Sequence, residues 1–364
     1  MSPLLLQSLT AFFSTILAII ILARAAPALG LVDKPSNRKR HQGEIPLVGG
    51  LAIFVALVLS SVLWGKPDET LTAMGGNSTF WAFLACGAFL VITGAVDDRW
   101  HVGVFMRVLS EVLVAFAIIE ILDLNVRYLG DLLGTGMLTM TSTVSYPFTV
   151  IAIFGIINAF NMLDGIDGLL GTLVLATLVI FHVITGTVPG FVSLAVGASL
   201  LAFLVSNLSL SPFIPKTFLG DAGSKLLGFI VVCLLLAAAS GQVGKVKLIQ
   251  PVTALFIVAL PLYDMVFTSL RRVVRKGSPF AADRSHIHHL AYKLGFSNSR
   301  AIVVILSVHL NITFIGLMLH RAHTPEYFQF VIFIGLFLFY CLFTSQAWIV
   351  ATGLDAHQND STIQ

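Results

Sequence analysis

Asn158, Asn161, Asp164 and Asp167 recur at every third position of Asn158-Ala159-Phe160-Asn161-Met162-Leu163-Asp164-Gly165-Ile166-Asp167-Gly168. Residues three apart are neighbours on a helix, so one turn brings successive members together. Gly165 and Gly168 let the backbone leave the helix and carry the carboxyls toward a ligand. These oxygen-bearing side chains abut the apolar run Val150-Ile151-Ala152-Ile153-Phe154, a setting that calls for a hard cation or a polar ligand. An EF-hand calcium loop is excluded, because it needs another order of acidic positions and a closing Glu. A polar turn between two helices is the plainer alternative.

Three further segments have chemical character. Asp97-Asp98 closes the apolar run Phe89 to Val96, where adjacent carboxylates are costly unless a cation or hydrogen bonds compensate them. A magnesium or base site competes there with a solvated helix end paired to Arg99. Phe218-Leu219-Gly220-Asp221-Ala222-Gly223-Ser224 sets one carboxylate in a Gly-rich turn before another apolar stretch. Backbone N–H groups at such a helix start suit phosphate oxygens, although the Gly-Lys-Ser/Thr order of a Walker A loop is missing. Asp283-Arg284-Ser285-His286-Ile287-His288-His289 follows Arg271, Arg272, Arg275 and Lys276. No cysteine lies near these histidines and their spacing is unlike structural zinc, so a polyanion held by charge-assisted hydrogen bonds is the better fit. A basic segment resting on anionic lipid headgroups is the alternative.

The elements that must position these groups are membrane helices. The chain is 57% hydrophobic and 11% charged, with a mean hydropathy of +0.94. A soluble domain carries about 25% charged residues, so that class is excluded. Apolar stretches predict about eleven spans, near 4–23, 46–64, 80–97, 105–122, 147–160, 169–185, 191–208, 226–240, 251–270, 301–320 and 327–349. The fifth is the shortest. The expected fold is all-α: one membrane-embedded domain over 1–350 and a short tail over 351–364. Positive charge follows the first span instead of preceding it, which predicts a retained helix and not a signal peptide. Cys86, Cys233 and Cys341 lie in apolar segments, so no disulfide framework is expected.

Basic residues set the orientation. Of the 21 Lys and Arg, only Lys66, Arg127, Lys245, Lys247 and Arg321 fall in loops after even-numbered spans. The positive-inside rule then puts the N-terminus outside and the C-terminus in the cytoplasm, with Lys245 and Lys247 running against it. The acidic, amide and histidine clusters share the basic, cytoplasmic side. The first loop on that side holds Asp33-Lys34-Pro35, Arg38-Lys39-Arg40-His41 and Ile45-Pro46-Leu47-Val48-Gly49-Gly50. Its charge serves topology or helps gather an anionic lipid, with Lys34 a candidate contact.

In order and length, these segments resemble the polyprenyl-phosphate N-acetylhexosamine-1-phosphate transferase family, over nearly the whole chain. The resemblance implies magnesium, with manganese as a substitute, and transfer of GlcNAc-1-phosphate from UDP-GlcNAc to undecaprenyl phosphate, releasing UMP. By matching position, Asn161 and Asp221 look like metal ligands, and Asp97 and Asp98 like the pair that orients or deprotonates the lipid phosphate. Asp164 and Asp167 match a functional acidic pair. Arg107 matches a basic position near the pyrophosphate, Phe218 an aromatic that stacks on uracil, and Arg284 with His286, His288 and His289 the loop at the sugar-phosphate end. Asn158 joins these as a substrate-binding candidate. His101 departs from the Asp or Asn often found there, and the tail lacks the basic extension of some relatives.

The resemblance further implies a bacterial inner-membrane protein with a cytoplasmic active face, a role in starting O-antigen or enterobacterial-common-antigen type polysaccharide, and a homodimer by analogy. No nucleic-acid partner is expected. Another UDP-N-acetylhexosamine is the alternative donor; the motif forms fit GlcNAc better than a muramoyl-pentapeptide. A transporter or channel is the alternative of another class, but it would place its ionisable groups near the bilayer midplane.

Overall fold

The structure is a computed structural model describing residues 3–34, 43–64, 77–240, 247–276, 278 and 285–361. Its helices are α1 (Pro3–Leu29), α2 (Gly49–Trp64), α3 (Asn77–Trp100), α4 (Val104–Glu120), α5 (Ser142–Leu163), α6 (Leu169–Thr185), α7 (Phe191–Asn207) and α8 (Gly220–Ala239). They continue as α9 (Pro251–Ile257), α10 (Ala259–Val274), α11 (Ile287–Lys293), α12 (Asn298–Arg321) and α13 (Glu326–Ser361).

Among the described residues six helices are long and apolar enough to cross a membrane: α1, α3, α5, α8, α12 and α13. The pair α9–α10 makes a seventh if its two pieces form one span, and α2, α6 and α7 are shorter apolar helices. Helices suit this solvent because their backbone groups pair within the segment. The protein is a multi-pass membrane protein.

Three departures from the sequence reading have physical causes. The fifth span is a full 22-residue helix, α5, not a short one. Its first turns hold Ser142, Thr143 and Ser145, whose polarity hides them from hydropathy. Inside the bundle the Asn125 amide donates to Ser145 Oγ at 3.1 Å and accepts from Thr149 Oγ1 at 2.8 Å. The ninth span is broken, with α9 and α10 bent by 80°. Pro261 lacks the N–H that would close the helix onto Ile257, so the chain turns at Val258. Two small antiparallel ribbons also depart from all-α: β1 (Val32–Asp33) with β2 (Ile45–Pro46), and β3 (Tyr128–Gly130) with β4 (Leu138–Thr139).

Helix α8 is the pillar of the bundle. In its most apolar stretch 89% of residues are buried, against 22–50% for the other long helices. It packs against α2, α3 and α5. Close approach at its start depends on small residues, as membrane helix contacts do. A Cβ on Gly94 would lie 2.5 Å from Ala222 Cα, and one on Gly50 would collide with Gly223. Farther along, Phe83 of α3 stacks on Phe229 with centroids 4.9 Å apart. Lys247, one of the two lysines that oppose the charge rule, pairs with Glu326 at 3.6 Å, and that carboxylate also accepts the Asp131 N–H.

Candidate active site

The start of α8 collects the first group of candidates. Asp98, near the end of α3, accepts the Asp221 N–H at 2.9 Å and the Ala222 N–H at 3.4 Å. Those donors are among the unpaired N–H groups of a helix start, and a carboxylate there also meets the positive end of the helix dipole. Gly220 makes the approach possible: its φ is +69°, and any Cβ would strike Asp98. The expectation that these N–H groups face phosphate is therefore corrected. The protein's own carboxylate fills that place.

Asp97 points into the protein and is 2% exposed. Its Oδ1 accepts the Val102 N–H at 3.1 Å. Arg107 Nε lies 2.8 Å from Oδ2 but donates its hydrogen to the Val102 carbonyl, so its contact with Asp97 is charge pairing without hydrogen-bond alignment. Lys225 of α8 is also 2% exposed; its Nζ lies 3.5 Å from Asp97, 3.6 Å from Glu111 and 3.9 Å from Asp221. Burying such a side chain is tolerable only when opposite charges surround it, as these three acids do. Asn158 completes the ring, donating to Glu111 Oε2 at 2.5 Å and to the Phe154 carbonyl at 2.9 Å.

Sequence reading passed over both Lys225 and Glu111. Two signals were available: Glu111 is a carboxylate inside an apolar span, and Lys225 follows Asp221 by one helical turn.

Ser224 ties Asn161 of α5 to the first turn of α8, where Asp221 lies: its hydroxyl donates to Asn161 Oδ1 at 2.6 Å and lies 3.1 Å from the Gly220 carbonyl. Among the described residues no cluster of three or more His, Cys, Asp or Glu forms a ready metal cage. The available donors are carboxylate, amide and hydroxyl oxygens, which fit a magnesium ion that keeps several waters.

Asp164 is an acid for which no cation partner is found among the described residues. It caps α5 outside the helix and is half-buried. Burial first, then the Asp98 and Asp167 charges, push its pKa up to about 7. A cation beside it would relieve that cost. The turn itself is rigidly tied: Gly168 N–H donates to Asn207 at 2.6 Å, and Asn207 donates to the Thr217 carbonyl at 2.8 Å. Asp167 pairs with Lys216 at 2.5 Å, and the same ammonium sits 5.5 Å above the Phe218 ring.

The histidine turn reaches this group from the other side. His288 is buried, and a Cβ on Gly165 would collide with its Nε2. Burial, then His289 and His286, hold its imidazole well below the usual histidine range. Its ring lies parallel to His286 at 5.8 Å and 4.2 Å from His289. His286 itself is turned inward, with Asp264 2.7 Å from Nδ1 and Arg272 3.2 Å from Nε2. Lys34 is exposed and pairs with Glu44 at 3.5 Å. Arg284 lies outside the described residues.

Fold and site together define a multi-pass membrane protein with a cluster of hard oxygen donors, buried cations and histidines assembled from α3, α5, α8 and the turn before α11. A family model described as glycosyl transferase family 4 matches residues 80–239, the stretch that carries most of this cluster. Proteins named undecaprenyl-phosphate alpha-N-acetylglucosaminyl 1-phosphate transferase are similar over nearly the full length. The one from Yersinia pestis is 36% identical over 93% of this chain and 91% of its own. That from Escherichia coli O157:H7 is 37% identical over 93% and 90%, and that from Haemophilus influenzae 36% over 94% and 95%. The chain belongs to this polyprenyl-phosphate N-acetylhexosamine-1-phosphate transferase family.

Proposed function

We propose that this protein transfers GlcNAc-1-phosphate from UDP-GlcNAc to undecaprenyl phosphate, giving undecaprenyl-pyrophosphoryl-GlcNAc and UMP. The carrying observation is near-full-length similarity to proteins of that name in a chain whose carboxylates, amides and histidines converge at one site. An oxygen of the lipid phosphate attacks the β-phosphorus of the donor, and UMP leaves with its own phosphate. Both reactants are anions, so repulsion and positioning dominate the barrier.

Asn161 and Asp221 would hold magnesium, whose chemistry here is to neutralise phosphate charge. Phe218 offers a face for uracil, with Lys216 beside it as a cation for the nucleotide end. A phosphate monoester has a second pKa of about 6, so the acceptor is already largely a dianion. No strong base is required. Asp98 is committed to the α8 N–H groups and Asp97 to Arg107 and Lys225, which favours positioning roles for the pair.

The charge asymmetry of the loops supports an outer N-terminus and a cytoplasmic active end in the inner membrane, and the apolar run lengths favour about eleven spans. The product would begin a cell-surface polysaccharide.

Purified full-length protein given UDP-GlcNAc and undecaprenyl phosphate should form UMP and the pyrophosphoryl lipid with magnesium and neither with EDTA. If no UMP forms with magnesium present, the proposal fails. A panel of UDP-N-acetylhexosamines decides the donor.

A further inference from the structure

One buried cluster lies behind the site and takes no part in the chemistry above. Asp264, on α10, is fully buried. It accepts the Ile287 backbone N–H at 2.8 Å and the Tyr340 hydroxyl of α13 at 2.9 Å on one oxygen. Its other oxygen lies 2.7 Å from His286 Nδ1. A buried carboxylate is expensive unless its lone pairs are used, and here three donors converge on it.

The hydrogen-bond inventory fixes the histidine. Arginine has no acceptor, so where Arg272 Nη2 meets His286 Nε2 at 3.2 Å the arginine must donate. Nε2 is then the acceptor, and the proton sits on Nδ1, where Asp264 accepts it. Both ring nitrogens are spent inside the protein, so His286 has none left for a ligand. His288, two residues on and parallel to it, is different. Its Nδ1 is buried without a hydrogen-bond partner among the described residues, while its Nε2 abuts Gly165 beside Asp164.

We propose that Asp264 is a positioning residue of the transferase site: it fixes the ring and tautomer of His286, and so seats His288 against the Asp164–Gly165 turn. Tyr340 extends the same clamp to α13. The role rests on the proposed transferase reading, because only that reading makes the Asp164–His288 face reactive. Asp264 touches neither substrate, and its effect passes through His286. An amide in its place would present an N–H to Nδ1, forcing the proton to Nε2, where it would oppose the Arg272 donor. A wrong tautomer in an intact fold is costly in other enzymes that orient histidine with a carboxylate.

The test compares full-length wild type, Asp264→Asn and Tyr340→Phe in the UDP-GlcNAc and undecaprenyl phosphate assay, together with nitrogen NMR of ¹⁵N-histidine-labelled protein. The His286 resonance is assigned by its loss in His286→Gln. Asp264→Asn should lower kcat by about a hundredfold or more with KM for UDP-GlcNAc within about threefold, the pattern of a lost transition-state arrangement. Its His286 proton should move from Nδ1 to Nε2. Tyr340→Phe should keep the tautomer and lose about threefold to tenfold in kcat. An Asp264→Asn enzyme with kcat within threefold of wild type overturns the clamp, and so does a wild-type His286 protonated at Nε2. The second result decides the matter even if the variant fails to fold. A wild type that releases no UMP would sink the transferase reading, whereas an active wild type matched by Asp264→Asn would sink the clamp alone.

Discussion

The two faces of the site treat their acids differently. At the start of α8, Asp97, Asp98, Glu111 and Asp221 are met by Arg107, Lys225 and the helix N–H groups. At the Asp164–Gly168 turn, Asp167 has Lys216, but Asp164 has no ion-pair partner and His288 Nδ1 is buried with no hydrogen-bond partner among the described residues. A compensated face holds its geometry without a ligand. An uncompensated one gains most when a cation and a phosphate arrive. On the proposed transferase reading, the contrast would separate residues that position from residues that react.

Asp221 joins the two faces, because it borders Lys225 yet its side chain is 30% exposed. Asp221→Asn should have the largest effect, at least about a thousandfold less magnesium-dependent UMP release, with normal membrane expression. Turnover close to wild type would remove it from the metal site and blur the division.

Lys225→Met breaks the compensated face itself. Stranding Asp97 and Glu111 without their cation should cost about 3–5 kcal/mol, read as a lower melting temperature in detergent. Removing the opposite charge as well, in Lys225→Met/Glu111→Gln, should recover most of that loss. If the single variant melts like wild type, the internal ion cluster is not what holds this face.

The smallest effect concerns pH. Asp164 rises from 3.8 to about 7 on folding, so the folded state favours the protonated acid. Its stabilising contribution is complete below the unfolded value and is lost as pH rises through about 7. In EDTA, wild type should therefore lose stability relative to Asp164→Asn between pH 5 and pH 8. A constant difference in melting temperature across that range would place Asp164 among the compensated acids.

Much of this was legible in the sequence. Apolar run length located the helices, and the threefold spacing of Asn158 to Asp167 located the turn that His288 approaches. Pairings between distant segments were not legible. Nothing local in Lys225 or Glu111 says that they meet, since the contact exists only once α4 packs on α3 and α5, the two helices that also hold α8. Asp264 reads as one more polar residue in an apolar stretch until the 80° bend turns α10 toward the histidines. The Asp221 turn was read as open to phosphate because one sequence segment does not reveal that Asp98 has reached it first.

That occupied helix start bears on inhibitor chemistry. A small anion that mimics phosphate has nothing to win at the amino end of α8, where displacing Asp98 would cost that carboxylate its two backbone N–H partners. Compounds built on an aromatic base with a cation-chelating arm, aimed at Phe218 and the Asp164 turn, would find their purchase on the other face.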